Sequence, residues 1–196
     1  SIGNNTAPNG NPCDWQGNYG TTDGLIDSVA RGSVAGKELI IVWANGNERQ
    51  SSSCTNDGPA PGTGFATLAP PANAKNHITV GALYSDDDAV TTFTSWGPSD
   101  DGRMKPDISA PGSQHGPHVG KNDNGVTSCS SSSSNTGYSV KSGTSMAAPT
   151  VTGMVALLLE DFRNHFTGEP DPSGSTMKVL LAHNAVDLGN IGPDYK

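Results

Sequence analysis

Apolar residues in this chain fall in short bursts between long polar stretches. The run at 38–44, ELIIVWA, is continuous rather than alternating and closes on Asn-Gly-Asn. That is the pattern of a strand buried on both faces of a parallel sheet. HITVGALY, at 77–84, repeats it. AVTTFTSWG, at 89–97, is β-branched and reads as a third, shorter strand. Asp107-Ile108-Ser109 lies between prolines and reads as an extended piece with rigid flanks.

Other segments carry helical spacing. Leu25, Ile26, Val29 and Ala30 form one stripe, with Thr22 or Asp23 as N-cap and Gly36 as stop. Residues 144–162 make the strongest helix, with Val151, Met154, Val155, Leu158 and Leu159 as a deeply buried face. Gly153 there would admit a close neighbour, and Pro149 would fall in the first turn, where a missing N–H is tolerated. A last helix begins at Ser173 or Ser175 and stops by Gly189. Between them, 112–137 reads as a long polar loop with the run SCSSSSSN, and 138–141 as a short strand leading into the main helix. A helix followed by a buried strand is half of a βαβ unit. The fold class is therefore α/β, with a mostly parallel sheet flanked by helices, and 196 residues suit one domain.

Composition narrows the function. A net charge of -8 disfavours nucleic-acid and anionic-membrane partners. No apolar run approaches a membrane span, and SIGNNTAPNG lacks the pattern of a signal peptide. With 25 glycines and 14 prolines, much of the chain is turn and loop, while the apolar runs argue against global disorder. Cys13, Cys54 and Cys129 show no Cys-x-x-Cys spacing, which weakens a zinc reading. The odd count suits a secreted protein with one disulfide and one remaining thiol, or three unpaired thiols.

The strongest chemical candidate opens the main helix. In Gly143-Thr-Ser-Met-Ala-Ala-Pro149, Ser145 sits where backbone N–H groups have no intrahelical acceptor and the helix dipole favours negative charge. A Ser/Thr pair at a helix start is also ordinary capping chemistry. The segment is not the Gly-x-Ser-x-Gly elbow of lipases and esterases, because Ala147 replaces the second glycine.

Several segments in order resemble the subtilisin-like serine peptidases: GTSMAAP at 143–149, VWANGNE at 42–48, NAKNHITVGAL at 73–83, FTSWGPSDDGRMKPDISAPG at 93–112 and TMKVLLAHNAVDLG at 176–189. Ser1-Ile2-Gly3 is similar to a strand end that lines that family's cleft. The resemblance implies a three-layer fold, incomplete at both ends, with 1–196 a partial peptidase domain. It implies Ser145 as nucleophile, and the side-chain amide of Asn47 with the Ser145 N–H as oxyanion donors. Ser1 and Gly3 would pair with an extended polypeptide substrate, and Ala44, Asn45 and Gly46 would lie near the pocket beside the scissile bond. Where the family usually has Ala-Ala-Gly-Asn, this chain has Ala44-Asn45-Gly46-Asn47, so a polar group enters that segment. No cofactor is implied; structural calcium is allowed, with Asp86–Asp88, Asp100–Asp101 and residues 122–125 as oxygen-rich loops. Cys13 and Cys54 follow neighbouring strands and are the expected disulfide.

The family's Asp and His should precede Asn47. No histidine does, and Asp14, Asp23 and Asp27 read as surface or helix-start carboxylates. His115, in QHGPHVG, resembles the family's His motif but lacks its helix and is out of order, so it competes as base with the reading of a loop histidine. The expectation is a secreted serine endopeptidase whose Asp and His lie outside this chain, incompetent alone, and completed by the missing N-terminal part or paired with a second copy across an open sheet edge. The competing reading is an inactive protease fold serving as a binding or structural module.

Overall fold

The computed structural model describes residues 15–49, 64–116, 125–131 and 136–188. Ser1, Gly3, Asp14, Cys13, Cys54 and the expected Cys13–Cys54 disulfide lie outside the described residues.

Three strands, β1 (Val42–Ala44), β2 (Ile78–Tyr84) and β3 (Ile108–Ser113), form a parallel sheet in the order β1-β2-β3. β2 is central, and its first six residues are buried. That accounts for its uninterrupted apolar sequence, because both faces of a central parallel strand are covered. β1 has only three residues, all half-buried. The proline-flanked piece is a true strand, tolerated because β3 is an edge of this sheet among the described residues.

AVTTFTSWG is not a third strand. Beyond one bridge between Leu83 and Val90, it runs as bends and coil. Its polar side chains are spent on its neighbours: the Thr91 hydroxyl donates to the Ala82 carbonyl, and the Ala82 N–H donates to Thr94 Oγ1. The polar loop at 112–137 also differs from expectation. It contains β4 (Val126–Cys129), paired antiparallel with β5 (Tyr138–Lys141) in a separate hairpin. Cys129 is exposed there as a free thiol.

Helix α1 (Thr21–Ala30) starts at Gly20, whose N–H donates to Asp23 Oδ2 at 2.8 Å, and ends at Arg31 rather than Gly36. The buried face carries Asp23, Asp27 and Ala30, while Leu25 is exposed. The two carboxylates are therefore not surface groups. Asp27 accepts the N–H groups of Lys75 and Asn76 and the Tyr19 hydroxyl, tying α1 to the turn before β2. Helix α3 (Gly174–His183) is capped by Ser173, as its sequence suggested, and ends at Asn184.

Helix α2 (Thr144–His165) packs on the sheet. Ala147, Val151 and Val155, at four-residue spacing, join Ile78, Val80, Ala82, Ala110 and the α3 residues Met177 and Leu181 in one core. The helix is not buried all round. Met154, Leu157 and Leu158 are 45%, 66% and 38% exposed, and a side chain at Gly153 would meet nothing within 4 Å. Pro149 lies in the second turn, so it removes the donor that the Ser145 carbonyl would otherwise have.

Beneath the sheet's entry end lies a buried polar knot. Lys105 Nζ donates to Thr79 Oγ1 and Asp107 Oδ2, both at 2.8 Å, and Lys178 Nζ lies 3.1 Å from Asp107 Oδ1. Burial pushes the Asp107 carboxyl up, but the two ammonium groups outweigh it and hold it below its ordinary value. His77 is fully buried beside this knot, and its Nδ1 has no partner among the described residues. Burial, reinforced by the Lys105 charge, draws its pKa down to about 3.

Two expectations follow. The unfolded chain binds a proton on His77 below its ordinary pKa of 6.5, whereas the folded chain does so only near 3. Stability is therefore full above that upper value and is lost as pH falls between the two, at up to about 1.4 kcal/mol per pH unit. Chemical denaturation across this range should show a shallower acid slope in His77→Phe, and an equally steep one would contradict the assignment. Separately, a Cβ on Gly112 would lie 2.7 Å from the Gly143 carbonyl oxygen and 2.8 Å from Ala82 Cβ. Gly112→Ala should cost about 1–3 kcal/mol through overpacking, read as a lowered urea midpoint; an unchanged midpoint would show that the start of α2 can yield.

Candidate active site

Parallel strands place their carboxyl ends on one rim, where loops meet helix starts. β1 runs out into Asn45-Gly46-Asn47, and β3 ends at the Gly112 and Ser113 that meet the start of α2. The Gly143 N–H donates to the Gly112 carbonyl at 2.9 Å, and Ser113 Oγ donates to Ser142 Oγ at 3.1 Å. Gly143 has φ of 147°, a conformation that side chains rarely adopt, and it turns the chain sharply into the helix. Ser145 follows in the first turn, half-buried.

Asn47 is joined to this turn across 97 residues of sequence. The Thr144 N–H donates to Asn47 Oδ1 at 3.0 Å, and the Thr144 hydroxyl donates to the same oxygen at 3.2 Å. The Gly46 N–H in turn donates to Thr144 Oγ1 at 3.2 Å. A backbone N–H can only donate, so the atom of Asn47 that meets Thr144 is the amide oxygen, and the amide nitrogen remains as a donor. Asn47 is exposed, and both amide atoms lie close to Gly143 at the helix start. Thr144 itself, one residue before Ser145, was not singled out from sequence. Its residue type fits a helix start, which hid its second role.

Of the other expected site residues, Ala44 ends β1 and is half-buried, and Gly46 has φ of 109°. Asn45 is fully buried. Its Nδ2 donates to the Ser95 carbonyl, and its Oδ1 has no partner among the described residues. Glu48 follows, and burial pushes its carboxyl up.

Among the described residues the histidines are dispersed. His77 is in the core, and His165 pairs with Asp161 near the end of α2. His183 closes α3. His115 lies on the segment after β3, its ring stacked on Tyr84 at 3.6 Å and its Nε2 3.1 Å from Asp87 Oδ2. Asp86 accepts the His115 N–H. The side chains of Asp86, Asp87 and His115 offer three ligand atoms within 4.8 Å of one another, all exposed. An imidazole in that set departs from the all-oxygen shell of calcium. Asp101 is paired with Arg103, and residues 122–124 are outside the described residues. Among the described residues no helix is long and apolar enough to cross a membrane.

The subtilase family, peptidase S8, matches residues 1–196. The serine protease AprX of Bacillus subtilis is 37% identical over 171 residues, which cover 81% of this chain and 32% of that protein. The C5a peptidase of a serotype M3 strain of Streptococcus pyogenes is 28% identical over 169 residues, 80% of this chain and 13% of its own length. The chain thus spans about a third or less of these relatives. Among solved structures, the CspB protease of Clostridium perfringens superposes with a TM-score of 0.53 at 28% identity, over 67% of this chain and 25% of its own. The patellamide maturation protease PatA superposes with a TM-score of 0.60 at 22% identity, over 95% of this chain and 53% of its own, and so shares the fold. The sheet with its flanking helices is accordingly part of a subtilisin-like α/β fold, and the chain belongs to the subtilase family.

Proposed function

We propose that this chain supplies the nucleophile and the oxyanion-binding amide of a serine endopeptidase. The observation that carries the reading is the orientation of Asn47, whose oxygen is held by both donors of Thr144, the residue before Ser145, so that the amide nitrogen of this exposed side chain remains as a donor. A donor fixed before substrate arrives costs no reorganisation when charge develops, which is the physical content of an oxyanion hole.

In this reading Ser145 Oγ attacks the scissile carbonyl and passes its proton to an imidazole. The oxyanion is stabilised by Asn47 Nδ2 and the Ser145 N–H, at the positive end of α2. Collapse breaks the C–N bond, the amine leaves with the imidazole's proton, and water hydrolyses the ester on Ser145. The imidazole and its Asp partner are assigned to residues beyond this chain. Among the described residues, His77 is buried in the core, His165 and His183 end α2 and α3, and His115 is engaged by Asp87 and Tyr84. The exposed apolar side of α2 supports the same assignment, because Met154, Leu157 and Leu158 offer a seat for the rest of the domain. The substrate is a polypeptide in extended form, running past Ser1 and Gly3 with Ala44 and Gly46 beside the scissile bond. The secreted character suggested by composition fits such an enzyme.

The test uses the full-length protein carrying this chain. A fluorophosphonate probe should label Ser145, and Ser145→Ala should abolish both labelling and peptide hydrolysis. Asn47→Ala should lower kcat by about 10²–10³-fold, the loss known for removing one oxyanion donor in a subtilisin. No labelling of folded full-length protein would overturn the proposal and favour a binding or structural module.

A further inference from the structure

The loop that carries Asn47 is held by a second segment besides Thr144. Ser95, fully buried, makes three contacts to it, at positions 45, 46 and 48. The Ser95 N–H donates to the Gly46 carbonyl at 3.0 Å. The Ser95 carbonyl accepts from Asn45 Nδ2. The Ser95 hydroxyl accepts from the Glu48 N–H at 3.0 Å. Fifty residues separate Asn45 from Ser95, so this is a tertiary brace and not turn chemistry. The segment behind Ser95 is itself fixed to the central strand, since Ala82 N–H donates to Thr94 Oγ1 and Thr91 N–H donates to the Ala82 carbonyl. A side chain at Gly46 would stand 3.0 Å from Ser95 Oγ, so the brace also depends on that glycine.

Asn45 is an odd choice for a merely structural position. It buries a side chain completely, satisfies its amide nitrogen, and leaves Oδ1 without a partner among the described residues. An alanine, the residue usual at this point of the family pattern, would bury no orphan acceptor. Buried polar groups kept at such a cost concentrate where geometry matters for function.

We infer that Asn45 and Ser95 are positioning residues for the oxyanion amide: together they hold the loop at 45–48 so that Asn47 keeps its bond to Thr144 and its nitrogen keeps its aim. Thr144 sets the rotation of the amide, and the Asn45–Ser95 clamp sets the position of the backbone beneath it. This rests on the oxyanion reading of Asn47 above. The chemical consequence is confined to the transition state, because ground-state binding of an extended peptide does not need the Asn47 nitrogen placed to a fraction of an ångström.

The test is a set of variants in the full-length enzyme: Asn45→Ala, Ser95→Ala, Asn47→Ala and the double variant Asn45→Ala/Asn47→Ala. Asn45→Ala should lower kcat by about 10- to 100-fold with KM unchanged within about twofold. Its Tm should change little, because the orphan Asn45 Oδ1 is removed at the same time as the Ser95 carbonyl loses its side-chain donor. In the Asn47→Ala background the same substitution should cost nothing further, since the amide it positions is absent. Ser95→Ala keeps the backbone contacts and should show a smaller loss of the same kind; it carries the test if Asn45→Ala does not fold. An unchanged kcat in Asn45→Ala would overturn the inference. So would a loss that persists in the Asn47→Ala background with a lowered Tm, which would mark Asn45 as scaffold. If Asn47→Ala alone leaves kcat intact, the oxyanion reading fails first and the clamp's role falls with it. If Asn47→Ala costs rate while Asn45→Ala and Ser95→Ala do not, only the clamp fails.

Discussion

The site depends on one closed chain of hydrogen bonds. Gly46 N–H donates to the Thr144 hydroxyl, that hydroxyl donates to Asn47 Oδ1, and the Thr144 N–H donates to the same oxygen. The chain joins the end of a strand to the start of a helix 97 residues later and determines which way an amide points. An exposed asparagine would otherwise be free to flip between two orientations, only one of which offers a donor in the place proposed for the oxyanion.

That network needs its two halves brought close and held there. Closeness comes from small residues: Gly112, Ala82 and Ala147 let β3, β2 and the start of α2 meet with no room for another methyl group. Rigidity comes from the core that fixes α2 to the sheet through Val151 and Val155, with Met177 and Leu181 completing it. Burial at such packing density leaves few alternative positions for the helix start. The side of α2 facing away has no comparable cover among the described residues, so the helix is firmly seated on its sheet and open elsewhere. The buried Lys105–Asp107–Lys178 knot at the opposite end of β2 takes no part in the site, and its neutral neighbour His77 links the fold's stability to acidity.

What could be read from sequence was what local pattern encodes. β2 announced itself by an unbroken apolar run, α2 by its periodicity, and α3 by Ser173. What escaped was decided by distant partners. β4 lies in a serine-rich segment with little burial and exists because β5 pairs with it. Residues 89–97 have strand-like composition, yet their hydroxyls are drawn to β2 and to the Asn47 loop. Asp23 and Asp27 looked like surface carboxylates, but the Gly20 N–H beside Asp23 and the N–H groups of Lys75 and Asn76, 48 and 49 residues beyond Asp27, make their burial tolerable. In the candidate site, Ser145 and Asn47 were expected from motif, whereas their neighbours Thr144 and Ser95 were not, because an ordinary capping or loop residue gives no sign of a partner so far along the chain.

The most direct measurement is a crystal structure of the full-length protein with a peptide boronic acid, which forms a tetrahedral adduct resembling the reaction's intermediate. The account predicts boron bonded to Ser145 Oγ and one boronate oxygen about 2.7–3.1 Å from Asn47 Nδ2, with Asn47 Oδ1 still on Thr144. An adduct whose oxygen lies against other donors, with the Asn47 amide turned or distant, would contradict it.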